Sequence, residues 1–596
     1  MPQYQAPLRD MQFVLHELLQ SASVLAQMPY YQDFDADTLN AVLDEGARFA
    51  QDVVFPLNQV GDRIGCQWDR DQHTVKTPTG FAAAYQQYVQ AGWPSLSGDP
   101  DYGGQGLPMV LNQAWYEMLN SANQAWTMYP GLTHGAYECL YAHGTAEQKK
   151  IFLPKLVSGE WTGTMCLTEP HCGTDLGLLR TQAVMQADGS YQITGSKIFI
   201  SSGEHDMAEN IVHLVLARLP DAPAGSKGIS LFVVPKWNVL TDGTLGERNG
   251  IFCTGLEHKM GIHGNATCQM TLEGARGTMV GEPHKGLAAM FVMMNAARLG
   301  VGIQSLGLTE VAYQNAAAYA KQRRQMRSLK GPQEPQEAAD CILVHADVRR
   351  MLLTARAYAE GGRAMALHVA LLLDVEQHHP DAAMRQAAAD EVSLLTPIIK
   401  AFLTENGWRA TSECLQVFGG HGYIAEWGVE QFVRDARINM IYEGTNTIQG
   451  LDLLGRKVLA DRGKKIKALG KKIQAFIEDQ GVRKEMQRFI NPLEALTRQL
   501  TPLTTQLGLK AFANADEVGA AGSDYLRLCG HWIMGWMFAR IAAVALAQKG
   551  KDEAFYSSKL QVAEFYFEKL FPETATLQAT LQSGAATLMA MPAERF

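Results

Sequence analysis

The chain has 596 residues, of which 47% are hydrophobic and 19% are charged, and its formal net charge is −9. This length exceeds what one hydrophobic core usually supports, so several globular domains are expected, and the composition excludes a largely disordered chain. The acidic balance argues against a nucleic-acid binder that works by bulk positive charge.

Nine scattered cysteines include no CxxC pair and no spacing typical of zinc ligands. This usage predicts reduced thiols and a cytoplasmic location rather than a disulfide framework. The first residues, MPQYQAPLRDMQFVLHELL, carry acidic and polar residues within a helical pattern, so they do not resemble a signal peptide. No stretch of about 18 uninterrupted apolar residues occurs, so no membrane-spanning segment is expected.

Apolar periodicity predicts helices up to about residue 160, as in LRDMQFVLHELLQ, with a break at SGDPDYGGQGLP. The runs YQITGSKIFISSG, NIVHLVLARL and KGISLFVVP then predict β-strands. Long helical patterns return from about residue 285. The expected organisation is a helical extension (1–37), a helical domain (38–160), a β domain (161–284), a second helical domain (285–460) and an extra helical domain (461–596).

The segment MIYEGTNTIQG (440–450) places one carboxylate, Glu443, between Tyr442 and Gly444. A helix-end carboxylate that faces water is one interpretation. The other is a desolvated base, because apolar surroundings raise the pKa of a carboxyl group and strengthen it for proton abstraction. These residues alone leave both interpretations open.

Two further segments are rich in small polar groups. WTGTMCLTEPHCGTDLG (161–177) offers hydroxyls and backbone N–H groups that suit a polar heteroaromatic ring or a phosphate, or it forms a plain polar turn. QVFGGHGY (416–423) indicates either close helix packing or a backbone approach to phosphate. It has neither the GxGxxG nor the GxxxxGK[ST] spacing.

Taken in order, the chain's motifs resemble those of the acyl-CoA dehydrogenases from about residue 90 to 455. The motifs are HGTAEQKKIFLPKLVSGEW, CLTEPHCGTD, ITGSKIFISSGE, KMGIHGNAT, NAARLGVG, QVFGGHGY and IYEGTNTIQG. The resemblance implies a mainly α fold with a central β domain: an N-terminal helical domain, a β-barrel domain and a C-terminal four-helix bundle. The additional C-terminal helical domain is similar to a longer bacterial subgroup, which includes fatty-acyl-CoA and 3-methylmercaptopropionyl-CoA dehydrogenases.

The resemblance also implies a reaction. Glu443 would remove the α-proton of an acyl-CoA thioester while the β-hydrogen leaves as a hydride to N5 of FAD, giving a trans-2-enoyl-CoA. A base stronger than a solvated carboxylate is needed, and burial beside Tyr442 would provide it. Gly444 would let the backbone approach the thioester. The implied substrates are medium- to long-chain acyl groups of β-oxidation, with the short 3-methylmercaptopropionyl group as an alternative.

Several residues are implied to hold non-covalent FAD. The loop that would hold the flavin ring contains Leu167, Thr168, Gly173 and Thr174. Thr168 would bond to the pyrimidine edge of the ring, and Thr174 would reach the pyrophosphate or the CoA arm. Where family members have Trp-Ile-Thr, this chain has Phe199, Ile200 and Ser201. The phenylalanine departs from the family pattern, which removes the basis for transferring a shielding role to that ring.

Other residues are implied to act across a subunit interface or on CoA. Arg323 resembles an arginine offered to the FAD phosphates of a neighbouring subunit, although Arg324 fits with a shift of one position. The adenine end of FAD would meet Gln416, Gly419 and Gly420. Thr445 and Thr447, which come after Glu443 in the chain, would also contact the cofactor. Asn295 and Arg298 stand where the family has Asp and Arg near the CoA arm; His171 and Cys172 receive no role, and no metal is expected.

Two rival functions share this fold. An acyl-CoA oxidase would use the same glutamate and flavin with oxygen as acceptor. A DNA-associated stress flavoprotein would need a basic C-terminal domain, yet residues 461–596 contain 18 Lys and Arg against 14 Asp and Glu. We therefore expect a dehydrogenase with an electron-transfer flavoprotein as acceptor and no nucleic-acid partner. A homodimer is expected, because FAD spans a subunit interface in the family and the extra domain would cover the surface used for tetramers.

Overall fold

The computed structural model describes residues 2–596. Two compact units make up the chain. Unit 1 consists of Met1–Ala47, Met109–Ser121 and Val301–Phe596, and unit 2 consists of Arg48–Pro108 and Ala122–Gly300. None of the nine cysteines forms a disulfide within the described residues.

The first 160 residues are mainly helical, as predicted. The helices are α1 (Leu8–Gln12), α2 (Ser21–Leu25), α3 (Ala36–Phe49), α4 (Asn58–Ile64), α5 (Phe81–Gln90), α6 (Met109–His143) and α7 (Ala146–Ser158). Helix α6 contains a non-helical residue, Asn123, which is the second residue after the boundary between the units. Helix α7 begins with a capping box, in which Thr145 and Gln148 exchange side-chain and backbone hydrogen bonds.

The helical prediction for this region missed an antiparallel hairpin, β1 (Gln67–Asp69) and β2 (Thr74–Lys76). Strands of three residues are too short to show a clear alternation of apolar and polar positions. A tertiary contact holds the hairpin: the indole N–H of Trp68 donates to the carbonyl of Cys253 at 3.1 Å. Val75 is buried in the same core.

The β domain is confirmed and lies in unit 2. Its strands are β3 (Trp161–Cys166), β4 (Gln182–Met185), β5 (Tyr191–Ser201), β6 (Asn210–Arg218), β7 (Ile229–Pro235), β8 (Trp237–Val239), β9 (Leu245–Arg248), β10 (Ile251–Leu256) and β11 (Thr267–Val280). Pairing runs β6–β7–β11–β5–β4 and returns to β6 through one bridge, Gln182 to Arg218, so these strands close a barrel. Strand β3 adds to β6 in parallel, and β10 adds to β11.

The helices that follow form the bundle of unit 1, except that the first residues of α8, up to Gly300, belong to unit 2. They are α8 (Gly286–Gln322), α9 (Ala346–His378), α10 (Ala382–Val417), α11 (Glu430–Ile438) and α12 (Asn446–Leu451). Helices α8 and α10 approach closely at Gly302, where an added Cβ would lie 2.8 Å from Cγ2 of Ile399. Glycine at this position therefore permits the packing of two helix backbones.

The extra C-terminal domain is helical, as predicted. It contains α13 (Lys464–Gln480), α14 (Gln487–Ala513), α15 (Asp516–Gln548), α16 (Glu553–Phe565), α17 (Glu573–Ser583) and α18 (Ala586–Met589). Helix α15 carries HWIMGWMFARIAAVALA and packs against α9, α10 and α12 of the bundle as well as α14, α16 and α17. The expectation that this apolar stretch needs burial is confirmed.

Two helices, α8 and α15, are long and apolar enough to cross a membrane by length and composition alone. The most apolar part of α15 is 83% buried within the protein, and that of α8 is 56% buried. Such burial is typical of helices in a protein core, which satisfy the same length and composition criteria.

Candidate active site and cofactor-binding elements

In unit 1, the segment from Met440 to Thr445 forms a tight turn between α11 and α12, the active-site turn. Glu443 has a φ of 58° and Gly444 a φ of 85°, so two successive residues adopt the left-handed conformation. The amide of Asn446 closes the turn by donating to the carbonyl of Met440 at 3.1 Å. A left-handed glutamate costs energy, and such residues persist where the surrounding structure holds them, often at functional sites.

Buried polar side chains hold this turn in place. The side-chain amide of Gln449, which is fully buried, donates to the carbonyls of Glu443 and Gly444 at 3.3 and 3.2 Å. On the other side, the hydroxyl of Tyr442 lies 2.5 Å from Oε1 of Gln304 and 3.0 Å from Oδ1 of Asn439. The predicted base is thus placed by its neighbours on both sides, and its own side chain is half-buried in the chain.

The start of α12 is fixed against α10. Thr445 caps the helix, since its hydroxyl oxygen accepts from the amide of Ile448 at 3.3 Å. The Oδ1 atom of Asn446 accepts from Nζ of Lys400 and from the hydroxyl of Thr404, each at 3.1 Å. The hydroxyl of Thr445 is therefore engaged within the chain, whereas Thr447 is exposed.

The arginines after α8 differ in their partners. Arg324 pairs with Glu334 at 3.0 Å, and Arg327 pairs with the buried Asp340 at 3.1 Å. The guanidinium of Arg323 is exposed and makes no hydrogen bond or ion pair with any residue from 2 to 596. Of the two arginines that fit the family position, Arg323 is therefore the one available to an external phosphate.

The predicted adenine-binding segment sits on an aromatic cluster. Gly419 has a φ of 58°, and a Cβ added at Gly419 or Gly420 would meet nothing within 4 Å, so these glycines face open space rather than a packed helix. Phe418 stacks on Tyr319 with ring centroids 4.3 Å apart, and the carbonyl of Tyr319 accepts from the amide of Arg323 at 2.9 Å. The structure thereby brings Arg323 and the glycine pair to the same end of the bundle. Gln416 is exposed there as well.

In unit 2, the loop after β3 (residues 167–178) is braced by a buried ion pair. Glu169 contacts Nζ of Lys197 at 2.8 Å, and the exposed fractions of the two side chains are 3% and 0%. Burial alone would raise the pKa of Glu169, but Lys197, the hydroxyl of Thr181 and the amide of Arg180 hold it below its usual value. Lys197 also donates to the carbonyl of Leu167 at 3.1 Å. A barrel strand thus fixes the first residue of the predicted flavin loop.

The predicted ligand groups of this loop are accessible. Thr168 is half-buried, and Gly173 and Thr174 are exposed. The Thr168 backbone accepts from the amide of Ile198 at 2.9 Å, but within the described chain neither threonine hydroxyl has a hydrogen-bond partner. Both hydroxyls therefore remain available to a ligand.

Phe199, Ile200 and Ser201 lie at an irregularity in β5. The register against β11 shifts between Lys197 and Ile200, and Phe199 at this bulge has a φ of 58°. Its ring is 60% exposed, which is unusual for a phenylalanine in the strand of a barrel. Ile200 instead points into the barrel core, so only its backbone could meet a cofactor.

Asn295 and Arg298, the predicted CoA-arm residues, contact each other on α8. Nη1 of Arg298 lies 3.3 Å from Oδ1 of Asn295, and Arg298 is 4% exposed in the chain. The Arg298 guanidinium also lies over the ring of Phe291 at 5.7 Å. An asparagine oxygen here accepts a hydrogen bond from the arginine without neutralising its charge.

Comparison with known proteins shows which family this chain belongs to. Four family models match in order: "Acyl-CoA dehydrogenase, N-terminal domain" over residues 37–160, "middle domain" over 164–275, "C-terminal domain" over 284–459, and "Acetyl-CoA dehydrogenase C-terminal like" over 469–592. The 3-methylmercaptopropionyl-CoA dehydrogenase of Ruegeria pomeroyi is 40% identical over 98% of this chain and 99% of its own. The chain belongs to the acyl-CoA dehydrogenase family.

This acyl-CoA dehydrogenase family member is similar to further proteins over nearly its whole length. The broad-specificity linear acyl-CoA dehydrogenase FadE5 of Mycobacterium tuberculosis is 36% identical over 98% of each chain. Among solved structures, Caenorhabditis elegans ACDH-11 in complex with C11-CoA has a TM-score of 0.78 and 20% identity, with 95% of this chain and 91% of that chain covered. An acyl-CoA dehydrogenase from Bacillus anthracis complexed with FAD has a TM-score of 0.73 and 21% identity, with 94% and 90% covered.

Three side chains come together within the predicted flavin loop, namely Glu169, His171 and Cys172, with their donor atoms within 4.8 Å of one another. The carboxylate of Glu169 is already engaged by Lys197. His171 Nε2 lies 2.9 Å from the carbonyl of Leu178, which requires a proton on that nitrogen. These contacts give Glu169 and His171 structural partners that brace the loop.

Sequence reasoning missed Lys197, Glu169 and Gln449 as supports of the site. A signal for the first was present: in YQITGSKIFIS, Lys197 falls on the same alternate positions as the inward-facing Tyr191 and Ile193. A lysine on the inward face of a strand requires a buried carboxylate partner. Gln449 gave no comparable signal, because a helical glutamine is ordinarily a surface residue.

Proposed function

We propose that this protein catalyses the FAD-dependent α,β-dehydrogenation of an acyl-CoA thioester to the trans-2-enoyl-CoA, with Glu443 as the base. The observation that carries the proposal is the active-site turn. There a glutamate in a left-handed conformation is followed by a left-handed glycine, and Gln449 holds both carbonyls. Such a rigid placement of one carboxylate suits proton abstraction from a positioned substrate.

The residues present fit FAD. In unit 2, the hydroxyls of Thr168 and Thr174 lack partners within residues 2–596, and the ring of Phe199 is exposed. In unit 1, Arg323 offers a guanidinium without an acidic partner among the described residues, beside Gly419 with its open backbone. These groups match the two chemical ends of the cofactor, since an arginine binds phosphate and hydroxyls bind the polar edge of a flavin.

In the proposed reaction, the carboxylate of Glu443 accepts the α-proton at one of its oxygens. The backbone N–H of Glu443 would donate to the thioester oxygen, where negative charge develops as the proton leaves. Gly444 lets the main chain turn at that point, and the hydrogen bonds of Tyr442 keep the turn from moving. When bound, the flavin supplies the acceptor for the β-hydrogen, which departs as a hydride.

The test is Glu443→Gln in the FAD-loaded protein, mixed anaerobically with acyl-CoA while flavin bleaching is followed. We expect the rate to fall about 10³-fold with acyl-CoA binding retained, because the amide cannot accept the proton. Glu426→Gln removes an exposed carboxylate nearby in the sequence and serves as the control. Flavin bleaching at a normal rate in Glu443→Gln would contradict the assignment of Glu443 as the base.

For the acyl group, we propose a medium- to long-chain linear fatty acyl-CoA. The name of the M. tuberculosis relative, a broad-specificity linear acyl-CoA dehydrogenase, supports this class. A specific observation favours a second candidate: the relative that is 40% identical is a 3-methylmercaptopropionyl-CoA dehydrogenase. Measuring kcat/KM for straight-chain acyl-CoAs of increasing length and for 3-methylmercaptopropionyl-CoA separates the two candidates.

We propose an electron-transfer flavoprotein as the electron acceptor and a homodimer as the assembly. Acceptor use is tested by comparing turnover with a purified electron-transfer flavoprotein and with dissolved oxygen. Exposed apolar side chains support the dimer: Met326 and Leu329 follow Arg323, and Tyr423 follows the glycine pair. Large exposed apolar groups beside a cofactor-binding element are typical of an interface between copies.

A further inference from the structure

Unit 1 contains a cavity of about 710 Å³ that includes none of the active-site or cofactor residues. Its walls come from α9, α10, α13 and α15, with Leu19 and Val24 of the N-terminal extension. The volume falls within the range of small-molecule sites, about 300 to 1,000 Å³.

Most of the wall of this cavity is apolar. The apolar contribution comes from two bundle helices and from α13, through Leu371, Leu372, Val375, Ala388, Leu469 and Phe476. An elongated hydrocarbon chain can pack against such a surface and remove it from water, which is favourable in proportion to the apolar area buried. A fully polar metabolite would leave this wall without complementary groups.

The cavity also has a cation without a counter-ion. Arg540 donates from Nη2 to the carbonyl of Leu18 at 3.0 Å, and its guanidinium lies 5.1 Å from the ring centroid of Trp536. Within residues 2–596 no carboxylate lies within ion-pair distance of Arg540. Burial lowers the pKa of this arginine to about 10, and the negative charge of Glu391, which is beyond ion-pair distance, offsets only part of that effect. A desolvated guanidinium without a carboxylate partner is costly and attracts an anion.

The other charges of the wall are already paired. Lys472 contacts Glu391 at 3.0 Å, and Nε2 of His368 lies 2.8 Å from the same carboxylate. Burial lowers the pKa of His368 to about 4, so this imidazole is neutral near pH 7. Lys465 lies 3.8 Å from Asp390 and 3.6 Å from Asp461, which is not part of the wall. Among the residues that line the cavity, two lysines and Arg540 stand against two carboxylates, and Arg540 is the cation without an ion pair.

We propose that this cavity binds an amphipathic monoanion, namely a free fatty acid of medium chain length, with its carboxylate on Arg540 and its hydrocarbon chain against the apolar wall. One negative charge compensates the single excess positive charge, and a guanidinium binds a carboxylate through two parallel hydrogen bonds. The proposal does not rest on the proposed reaction, because the cavity shares no residue with the active-site turn.

The experiment is calorimetric titration of the FAD-loaded protein with sodium decanoate, and with 1-decanol at matched concentration. Arg540→Gln removes the cation. Ala387→Trp places a bulky ring at an exposed position of the cavity wall and so fills the site without disturbing the core. Arg498→Gln removes an exposed arginine on α14 and is the matched control.

We expect decanoate to bind more tightly than decanol, with affinity reduced at least tenfold by Arg540→Gln and by Ala387→Trp but unchanged by Arg498→Gln. Binding of decanoate in the active site would survive both cavity variants and would overturn the proposal. Absence of decanoate binding to the unmodified protein, or equal binding of decanol, would overturn it as well. If Arg540→Gln does not fold, the Ala387→Trp variant decides.

Discussion

Arg323 and Arg324 are adjacent in the chain but differ in what their side chains contact. The side chain of Arg324 is held by Glu334, whereas the guanidinium of Arg323 has no partner within residues 2–596. Arg323 follows Tyr319, which stacks on Phe418. Both residues follow the end of α8 at Gln322, and Arg324 forms a β-bridge with Cys341. The side chain of Arg324 therefore meets the following loop, whereas that of Arg323 is exposed.

For Arg323→Gln we expect the dissociation constant of FAD to rise at least tenfold, because a charge-assisted hydrogen bond to phosphate is lost. For Arg324→Gln we expect a change below about twofold, since an exposed ion pair contributes little. Fluorescence titration of the apoprotein with FAD measures both. A larger loss of FAD affinity in Arg324→Gln than in Arg323→Gln would assign the family's phosphate-binding position to Arg324 instead.

At the scale of elements, two threonines of β3 contact two buried histidines, His205 in the loop before β6 and His213 on β6. Nε2 of His205 lies 2.9 Å from the hydroxyl of Thr162, and Nδ1 of His213 lies 2.7 Å from that of Thr164. Burial lowers the pKa of both imidazoles to about 3, reinforced at His205 by the charge of Lys236 and at His213 by the charges of Arg248 and Lys236. The folded β domain therefore holds both rings neutral.

This lowered pKa predicts acid sensitivity. The unfolded imidazoles protonate near pH 6.5 and the folded ones near pH 3, so the stabilisation is present above pH 6.5 and is lost as the pH falls below it. Each histidine contributes a loss of about 1.4 kcal/mol per pH unit. The free energy of unfolding is measured by urea denaturation at pH 7.5 and at pH 5.5. Between these two pH values it should fall by about 1.4 kcal/mol less in His213→Gln than in the unmodified protein. An identical loss in both proteins would contradict the prediction.

The N-terminal extension and α16 are joined by a buried lysine. Lys559 is 2% exposed and contacts the carboxylates of Asp10 and, at 3.1 Å, Glu360. The ring of Phe13 lies 5.6 Å from that of Phe555 beside this pair. Residues more than 500 positions apart thus form one polar and aromatic cluster within unit 1.

For Lys559→Met we expect the free energy of unfolding to fall by about 3 kcal/mol, because two partly or fully buried carboxylates lose their shared cation. Denaturant titration measures the loss, and limited proteolysis should cut the first 20 residues faster. Lys549→Met changes an exposed lysine near the same domain and should leave stability within about 0.5 kcal/mol. Equal stability of the two variants would show that the cluster is not a stabilising contact.

At the scale of the whole molecule, the extra C-terminal domain packs onto the bundle through α15, which contacts α9, α10 and α12. In the expected dimer, this domain covers the surface on which a second dimer would pack to form a tetramer. Apolar groups remain exposed near the predicted phosphate-binding arginine, with Leu329 fully exposed and Tyr423 84% exposed.

Light scattering should therefore give about twice the chain mass of 65.4 kDa. The double variant Leu329→Lys and Tyr423→Lys should give monomers and release FAD, because charged groups at the interface separate the two copies. Leu509→Lys, at a residue of α14 that is 71% exposed, should leave the dimer intact. A mass near four chains would show that the extra domain does not block tetramer packing.

Much of this protein follows from its sequence alone. The order of helices, strands and helices is local information, because apolar periodicity is set by the 3.6-residue turn of a helix and the alternation of a strand. Seven short motifs in order indicated the family, and the family resemblance in turn indicated Glu443 as the proposed base. The sequence also predicted that HWIMGWMFARIAAVALA in α15 is buried, because removing an apolar stretch of that length from water is favourable.

Only the tertiary structure decided the remaining features. The hairpin of β1 and β2 is held by the hydrogen bond from Trp68 to Cys253, and the predicted flavin loop is braced by the ion pair of Lys197 and Glu169. The excess charge of Arg540 becomes visible only when its surroundings from four helices are known. Such contacts join residues far apart in the chain, so their partners are set by packing and register, which no local pattern of residues specifies.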